Sequence, residues 1–490
     1  MLISDLLNTI DFGNQVAEFD RDSDNHFIIT EAFRAIVENR SDIVAGDKGT
    51  GKTTIYKYLK AQYTQIPQLS KVEIISGFNP SGSPVFSRLT RLEQLSEAAY
   101  LYIWKTYILS LIGNWLLHLC EGSYGNHTNR LSDLLNRMGL RSNDDKAESV
   151  FTRLIGLKHK LFNPKNIGME ISLDPLGNPK VKPLIEFNNR NEEPAPELNP
   201  ISDDTGLILL NQALAENDIS VWVLLDRLDE AFVGYPQFEI PILRALLRAY
   251  LDLLAFERIG VKLFVRKDLF RKVVRDGFVN LTHVNARKVE IIWEKEDLMS
   301  VICRRIRGSK EFIRLCGIQI DSDQRIFDSV FPPQMEGGGR KLSTWDWIVS
   351  QIRDGNGVVA PRNLVELAIL AREEQCRREQ RKPRYLSSGQ PIIEPDSLLR
   401  ASARLSVHRV QDTLMAESPR EVAALIAAFV DGKRGHNDES IGQLFGVSPS
   451  QAHEFAATLL DIGFLENAGK RYRVAPLYRD GINTSRGKPL

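Results

Sequence analysis

Cysteine is scarce in this chain, and the four present are widely spaced with no C-x-x-C pair: Cys120, Cys303, Cys316 and Cys376. Such spacing argues against a disulfide framework and is typical of reduced thiols in a protein core, which fits the cytoplasm. An excess of one charge is also missing, because 63 basic residues balance 63 acidic ones. The chain as a whole therefore has no global attraction to nucleic acid or anionic lipid.

Targeting and membrane signals are also lacking. The N-terminus, Met1–Asp5, has neither the basic start nor the small-residue cleavage site of a signal peptide. Long apolar runs are absent except for Ala98–Cys120, which contains Lys105 and is interrupted by Asn114 and His118. Because a charge at that depth is costly in lipid, we predict a buried core helix there and no membrane span. We expect a cytoplasmic protein that does not bind membranes.

What is present is the composition of an ordinary globular protein. Of the 490 residues, 43% are hydrophobic and 26% are charged, so the chain can bury a large core. That length predicts two to four domains.

The most informative segment is Gly46–Thr54, which fits the pattern G-x-x-x-x-G-K-[ST] in full. Asp42–Ala45 predicts a short buried strand just before it, and Thr54–Leu59 predicts the start of a helix after it. In this context backbone N–H groups converge on a bound anion at a helix N-terminus, where the helix dipole also favours negative charge. We predict a nucleotide site lined by the whole loop: Gly46, Asp47, Lys48, Gly49, Thr50, Gly51, Lys52, Thr53 and Thr54.

Two side chains of this loop have separate roles in the motif. Lys52 is expected to reach the β- and γ-phosphates, and the hydroxyl group of Thr53 is expected to ligate Mg²⁺. The predicted cofactors are therefore ATP and Mg²⁺.

A second motif, which is acidic, supplies the carboxylate that a Mg²⁺ ion at the phosphate loop requires. Val221–Leu225 is a continuous apolar run, as expected for a parallel strand covered on both faces, and it ends at Asp226. We assign Asp226 as a Mg²⁺ ligand at the tip of a strand beside the phosphate loop. Asp229 and Glu230 follow within one turn and are candidates to orient or deprotonate the attacking water. The alternative is an acidic helix cap after a core strand.

Further strands complete an α/β pattern. Val261–Val265 ends at Arg266, which would face the γ-phosphate and sense it if this strand neighbours the Mg²⁺ strand; the alternative is an ordinary surface arginine. Strands are also expected at Val72–Ser76 and Arg287–Trp293, with a helix at Pro241–Phe256 whose first turn suits Pro241. Alternating strands and helices predict a doubly wound parallel sheet of the P-loop NTPase type.

Four parts are predicted along the chain. They are an N-terminal lead-in (1–40), an ATPase core (41–293), a helical lid (294–400) and a winged-helix domain (401–490). The separation of Lys52 from Asp226 exceeds what a minimal core needs, so we predict a large, mainly helical insertion at about 80–205. Within it, Pro175–Pro179 predicts a turn between two short strands, Met169–Leu173 and Val181–Phe187.

The C-terminal part predicts a winged helix. Three helices, at Ala423–Phe429, Glu439–Phe445 and Gln451–Ile462, precede a two-stranded wing. The third helix has no Lys or Arg, whereas helices that read bases normally offer cations or amides. The wing is basic, with Lys470, Arg471, Arg473 and Arg479. A docking role between domains or with a partner is favoured, and a nucleic-acid contact through the wing stays open.

These motifs together resemble the AAA+/STAND branch of P-loop ATPases, especially bacterial members with a lid and a winged helix. The resemblance rests on Gly46–Thr53, Leu224–Glu230, Phe264–Phe270, Trp293–Ile306 and Ala360–Leu367. It implies that Pro361 opens a lid helix and that Arg362 reaches the γ-phosphate. One departure is that Arg227 and Leu228 separate the acidic groups, which is closer to the STAND class than to the commonest AAA+ pattern. Whether Asp229 or Glu230 activates water stays open.

The resemblance implies an ATP-hydrolysing switch that couples nucleotide state to assembly or partner engagement. ATP and Mg²⁺ would bind between core and lid, and the ATP state would be a homo-oligomer with Arg275 as an arginine finger. A protein effector partner and a role in bacterial stress response or antiviral defence are also implied. Two alternatives are a DNA-engaged AAA+ ATPase of the initiator or transposition-regulator type and a nucleotide-stabilised scaffold with little hydrolysis.

Overall fold

The structure is a computed structural model of the chain, and it forms two compact units. The lid unit comprises Met1–Glu31, Gly46–Thr54 and Ile291–Leu490, and the sheet unit comprises Ala32–Ala45 and Ile55–Glu290. The residues that the structure describes are 1–20, 22–77, 96–121, 123–141, 164–173, 179–187, 203–230, 236–275, 277–317, 322–337, 340–387, 390–416, 418–469 and 471–485.

The described strands fall into one large sheet and three small ones. In chain order they are β1 (Ile43–Gly46), β2 (Val72–Ser76), β3 (Pro164–Leu173), β4 (Pro179–Phe187), β5 (Ser220–Leu225), β6 (Ile259–Arg266), β7 (Lys288–Glu290), β8 (Gln334–Gly337), β9 (Arg340–Ser343), β10 (Gly435–His436), β11 (Leu465–Asn467) and β12 (Tyr472–Val474).

The described helices of the sheet unit, some of which begin in the lid unit, are α3 (Glu31–Val37), α4 (Lys52–Gln62), α5 (Glu97–Leu119), α6 (Asn126–Arg137), α7 (Asp203–Glu216), α8 (Pro236–Leu253), α9 (Lys267–Val274) and α10 (Leu281–Ala286). Those of the lid unit are α1 (Ile3–Thr9), α2 (Ser23–His26), α11 (Lys295–Gly308), α12 (Lys310–Cys316), α13 (Asp323–Val330), α14 (Thr344–Gln351), α15 (Pro361–Arg381), α16 (Pro395–His408), α17 (Arg420–Ala427), α18 (Asp438–Phe445) and α19 (Pro449–Asp461).

The large sheet has the strand order β2-β5-β6-β1-β7. Strand pairs β2 with β5, β5 with β6, and β1 with β7 run in parallel. Every residue of β1 is buried, and so are five of the six residues of β5, as expected for strands covered on both faces. The predicted α/β fold of the P-loop NTPase type, with a doubly wound parallel sheet, is confirmed.

One detail of the predicted sheet is wrong. The strand that ends before Asp226 is not beside the strand that leads into the phosphate loop, because β6 lies between β5 and β1. A hydrogen bond from the Leu263 N–H group to the Asp42 carbonyl oxygen, 2.8 Å long, joins β6 to the start of β1. The strand next to the one that enters the phosphate loop is therefore the strand that ends at Arg266.

The apolar run that resembled a membrane span forms helix α5, and its prediction as a buried helix is confirmed. The Trp104 indole N–H donates to the Ile242 carbonyl oxygen of α8 at 3.0 Å. Buried Lys105 is neutralised by Asp252 at 2.7 Å and Asp204 at 3.1 Å. Among the described residues, no helix combines the length and apolar character needed to cross a membrane.

The predicted insertion contains α5, α6 and a hairpin. The two short strands expected there are confirmed as β3 and β4, which pair antiparallel with Leu173 opposite Pro179. The intervening turn residues 175–178, and residues 78–95, 142–163 and 188–202 of this region, lie outside the described residues.

The helix predicted at Pro241–Phe256 differs in its bounds. It runs from Pro236 to Leu253, so Pro241 lies inside the helix and not in its first turn. Pro236 occupies the first turn, whereas Pro241 has no N–H group for the carbonyl oxygen four residues earlier and its ring crowds that oxygen, so its place inside the helix is unfavourable locally. The earlier proline begins the helix.

The lid unit has a single hydrophobic core that combines three parts of the chain. Leu6 and Leu7 of α1 are fully buried together with Ile302 of α11, Leu398 of α16 and Phe464 at the start of the wing. The predicted boundary between lid and winged helix, at 400/401, falls inside α16. The winged helix is therefore not an independent module, because its core continues into the lid.

The winged helix itself has the elements that the sequence predicts, with one strand more. Helices α17, α18 and α19 are followed by β11 and β12, and the short strand β10 adds to β12 as a third strand. Gly446 ends α18 with a φ of +66°, and Ser448 caps α19 with Pro449 at its first position. A two-residue strand such as β10 is too short to leave a periodic pattern in the sequence.

A buried ion network lies at the start of β1, at the strand end opposite the phosphate loop. Asp42 accepts from the Nζ group of Lys262 at 2.6 Å, from the Nε group of Arg287 at 2.8 Å and from the Tyr250 hydroxyl group at 2.8 Å. Burial raises the pKa of Asp42, but Arg287 and Lys262 outweigh it and hold that pKa below its ordinary value. Burial lowers the pKa of Lys262 to about 8.

Replacing Asp42 by alanine should destabilise the sheet unit strongly. Since Lys262 would remain buried without its counterion, we expect the free energy of unfolding to fall by about 3–5 kcal/mol, measured by urea denaturation followed by circular dichroism. Glu38→Ala, which removes the exposed partner of Arg40 in the same unit, is the matched control and should change little. The contribution of Asp42 should be complete above a pH of about 3.9 and lost as the pH falls through its lower folded-state pKa. Equal effects of the two substitutions would contradict this account.

Candidate functional site

The phosphate loop connects the end of β1, at Gly46, to the start of α4, at Lys52. Gly49 and Gly51 have φ angles of +77° and +99°, a region that only glycine adopts readily. A Cβ atom added to Gly46 would lie 2.5 Å from the Thr50 Oγ1 atom. All three glycines of the motif are therefore required by the curvature of the loop.

Hydrogen bonds inside the loop hold the predicted phosphate-binding lysine at its centre. The Nζ group of Lys52 donates to the carbonyl oxygens of Gly46 and Asp47, each at 2.9 Å. The Thr50 hydroxyl group donates to the same Asp47 oxygen at 2.8 Å. Thr53 follows in the first turn of α4, where the N–H groups of a helix are free to bind an anion.

Two residues of the lid unit contact the phosphate loop directly. The Trp293 indole N–H donates to the Thr50 carbonyl oxygen at 2.8 Å, and the backbone N–H of Arg362 donates to the Gly49 carbonyl oxygen at 3.4 Å. A Cβ atom on Gly49 would lie 2.9 Å from the Cβ atom of Arg362. The structure thus brings Arg362 against the phosphate loop, and Pro361 occupies the first turn of α15 as the resemblance implies.

The Arg362 side chain leaves one polar atom unsatisfied. Its Nε atom is buried and has no hydrogen-bond partner among the described residues. A buried donor of a charged group without an acceptor is costly, so such an atom is typical of a site that an anion completes. Glycines at φ angles above zero, a lysine at the loop centre and this guanidinium all fit a phosphate group.

Trp293 was not predicted as a site residue. It lies between β7 and α11, and its only distinguishing feature in the sequence is a position at the junction of sheet and lid. Its role depends on a contact with a residue more than 200 positions earlier, which no local pattern encodes.

The other predicted residues lie in the sheet unit, at the ends of β5 and β6. Asp226 follows β5 and is 1% exposed, and Arg266 is the last residue of β6. Because β5 and β6 are neighbours in parallel, Arg266 lies close to Asp229, with 3.4 Å between Nη1 and Oδ2. The predicted sensor role of Arg266 requires that β5 and β6 be neighbouring strands, and they are.

Asp229 and Glu230 have different partners. Asp229 pairs with Arg266, whereas Glu230 lies 3.2 Å from the Nη1 atom of Arg227, whose φ of +55° is unusual for a residue other than glycine. Burial lowers the pKa of Arg266, but the charges of Asp268 and Asp229 outweigh it and raise that pKa above its ordinary value. Both acids are thus engaged in ion pairs with arginine, and the choice between them for water activation stays a prediction.

The two residues predicted as Mg²⁺ ligands, Asp226 and Thr53, offer a carboxylate and a hydroxyl group. Among the described residues, no group of three or more His, Cys, Asp or Glu side chains is arranged to hold a metal ion. Mg²⁺ is usually bound by one or two protein oxygens together with substrate phosphates and water. A carboxylate and a hydroxyl group are oxygen donors of the type that Mg²⁺ prefers, and the assignment of Asp226 and Thr53 as its ligands stays a prediction.

Comparisons with known proteins give a weak structural similarity. No protein family model matches the chain, and no curated protein does. The Aeropyrum pernix ORC2 protein in its ADPNP-ADP complexes is 14% identical over 92% of each chain, with a TM-score of 0.40. The Aeropyrum pernix ORC1 protein in complex with DNA is 10% identical, covering 93% of this chain and 92% of that one, with a TM-score of 0.34. TM-scores this low do not establish a common family or activity.

Replacing Arg362 by alanine should weaken ATP binding far more than ADP binding. We expect a loss of about ten- to a hundredfold in ATP affinity, since a charge-assisted hydrogen bond contributes about 1.5–3 kcal/mol, with ADP affinity little changed. Isothermal titration calorimetry in the presence of magnesium measures both. Arg377→Ala, on the exposed side of the same helix, is the matched control. Equal losses for ATP and ADP would rule out γ-phosphate sensing by Arg362.

Proposed function

We propose that this protein is an ATP-binding and ATP-hydrolysing molecular switch of the AAA+/STAND type. The observation that carries the proposal is the buried, unsatisfied Nε atom of Arg362 against the Gly49 side of a complete phosphate loop. An arginine that contacts the phosphate loop, and whose Nε atom has no acceptor, is suited to respond to the terminal phosphate of a nucleotide.

Binding would use the loop amides and one movement of Lys52. The lysine Nζ group now caps the carbonyl oxygens of Gly46 and Asp47, and it would exchange them for β- and γ-phosphate oxygens. Thr53 and Asp226 would hold Mg²⁺, which neutralises phosphate charge when bound.

Hydrolysis would proceed by in-line attack of a water oxygen on the γ-phosphorus. The bond from that phosphorus to the bridging oxygen breaks, ADP leaves with the bridging oxygen, and the carboxylate of Asp229 or Glu230 accepts the proton of the water. Arg266 and Arg362 would stabilise the charge on the transferred group. Loss of the γ-phosphate would remove the acceptor of Arg362 and so reset the lid.

The wider roles are proposed from the family resemblance. We propose a homo-oligomer in the ATP state with Arg275 as a finger, a protein effector partner, and a context of bacterial stress response or antiviral defence. A neutral overall charge is compatible with assembly of like chains, because it creates little long-range repulsion.

Three substitutions test catalysis and separate the two acids. Lys52→Ala should abolish ATP-dependent thermal stabilisation, whereas Glu230→Gln should keep ATP bound, trap the assembled form and lose about a hundredfold or more of turnover, the usual contribution of a general base. Phosphate release, differential scanning fluorimetry and mass measurement provide the readouts. Glu257→Gln, an exposed acid of the same unit, is the control.

The outcomes separate the alternatives. Normal turnover in Glu230→Gln together with lost turnover in Asp229→Asn would assign the reaction to Asp229. Wild-type turnover no higher than that of Lys52→Ala, with ATP still raising thermal stability, would identify a nucleotide-stabilised scaffold and refute the ATPase proposal.

A DNA-engaged ATPase is a second candidate function, and the charge of the wing favours it. The arginines Arg353, Arg434 and Arg473 lie close enough to Arg479 to lower its pKa, after the larger effect of burial and against Glu466, which raises it. Helix α19 opposes this function, because it carries no Lys or Arg and its His453 Nδ1 atom lies 3.2 Å from the Tyr472 hydroxyl group.

Binding to duplex DNA as a function of salt tests this alternative. If the wing contacts phosphates, Arg473→Glu should weaken ATP-dependent binding and reduce the slope of log K against log salt by about one to two. Fluorescence anisotropy at several salt concentrations measures this, with Arg377→Glu as a surface control. No binding at low salt, with or without ATP, would eliminate the DNA function.

A further inference from the structure

A tight loop of the lid, residues 353–359, joins α14 to α15, and we call it the Asp354 loop. Arg353 and Val359 form an isolated antiparallel bridge at its base. The Asp354 carboxylate accepts from the backbone N–H groups of Asn356 at 2.9 Å and Val358 at 2.8 Å. The loop is therefore closed on itself by this carboxylate and by the bridge at its base.

The tip of the Asp354 loop docks on the winged helix through its backbone. The Gly355 N–H donates to the Gly463 carbonyl oxygen at 2.7 Å, and the Asn356 side-chain amide donates to the Asp461 carbonyl oxygen at 3.3 Å. A Cβ atom on Gly355 would lie 2.0 Å from the Leu465 carbonyl oxygen. Residues 461–465 join the end of α19 to the first strand of the wing, so any side chain at Gly355 forces these two segments apart.

The same loop is connected to the residues that contact the phosphate loop. Burial raises the pKa of Asp354 to about 6, and the negative charge of Asp47 adds to this rise. At the base of the loop, the Asn363 side-chain amide donates to the Ile352 carbonyl oxygen at 3.3 Å. Asn363 follows Arg362, whose backbone N–H contacts Gly49. The loop thus has one connection to the phosphate loop by charge and another through the first turn of α15.

We propose that the Asp354 loop conveys phosphate occupancy of Gly46–Thr54 to the segment 461–467 of the winged helix. This inference rests on the proposed ATP binding. Phosphate bound against Arg362 displaces the first turn of α15, and the hydrogen bond from Asn363 to the Ile352 carbonyl oxygen passes that displacement to the base of the Asp354 loop. Because Gly355 is hydrogen-bonded to Gly463 with no space for a side chain between the segments, such a movement displaces the end of α19 and the start of the wing.

Gly355→Ala tests this coupling in the full chain, and Gly357→Ala is its matched control. Both add one methyl group to the same loop, but the Cβ atom of Gly357 has no heavy atom within 4 Å, although its φ of +79° makes the substitution strained. The pair therefore separates loss of docking from strain within the loop. Asn356→Ala, which removes the hydrogen bond to Asp461 without adding atoms, is the second test variant.

Hydrogen–deuterium exchange of the full chain, with and without Mg²⁺ and ATP, provides the readout, and calorimetry checks binding. In the wild type and in Gly357→Ala, ATP should change exchange in peptides that cover 461–467. In Gly355→Ala that change should be lost, and in Asn356→Ala it should fall by at least half, while ATP affinity stays within about threefold of wild type.

The contrary results differ for the two proposals. A wild-type chain that does not bind ATP would refute the proposed function. A wild-type chain that binds ATP, and in which either 461–467 does not respond or Gly355→Ala responds like Gly357→Ala, would leave that function intact and overturn the coupling.

Discussion

The contact on which the lid unit depends is the packing of Arg362 against Gly49. The curvature that exposes loop amides to an anion needs glycine at φ +77°, and the same missing side chain lets the first turn of α15 approach within hydrogen-bond distance of the loop. Phosphate binding and lid contact therefore share one physical requirement. A side chain at Gly49 would disturb both together, so the loop cannot lose one property and keep the other.

In the proposed switch, a short chain of contacts connects Arg362 to the winged helix. One turn after Arg362, Glu366 forms a buried ion pair with Arg409 and accepts from His408 at 2.8 Å. Arg409 begins a π-helical turn, Arg409–Met415, that leads from α16 toward the winged helix. Separation of the two partners would leave an uncompensated buried charge, so the pair favours one arrangement of the segments that carry it. Lid and winged helix are thus held in one defined arrangement through charge as well as through their common core.

The neutral total charge conceals a strong separation of charge within the winged helix. The exposed face of α19 offers only uncharged and acidic side chains, such as Gln451 and Glu454, while Arg473 projects from the wing sheet opposite Glu466. The helix that reads bases in many winged helices is here the less suitable surface for a polyanion. The proposed contact with nucleic acid therefore depends on the wing, and protein docking stays the proposal for α19.

Local patterns determined the elements of this protein, and tertiary contacts determined its site. The apolar runs of β1 and β5, the paired strands β3 and β4 and the cap at Ser448 are each encoded within a few residues, so the sequence alone predicts them. The order of the strands is not encoded locally, because the position of β6 between β5 and β1 depends on pairing between segments far apart in the chain. Trp293 and Asp354 also escaped prediction, since each acquires its role from residues far away in the chain. By itself the sequence determined that a phosphate loop and a winged helix exist. Only the tertiary structure decided that Arg362 lies against that loop and that the lid and the winged helix share one core, because burial and charge act between segments that only folding brings together.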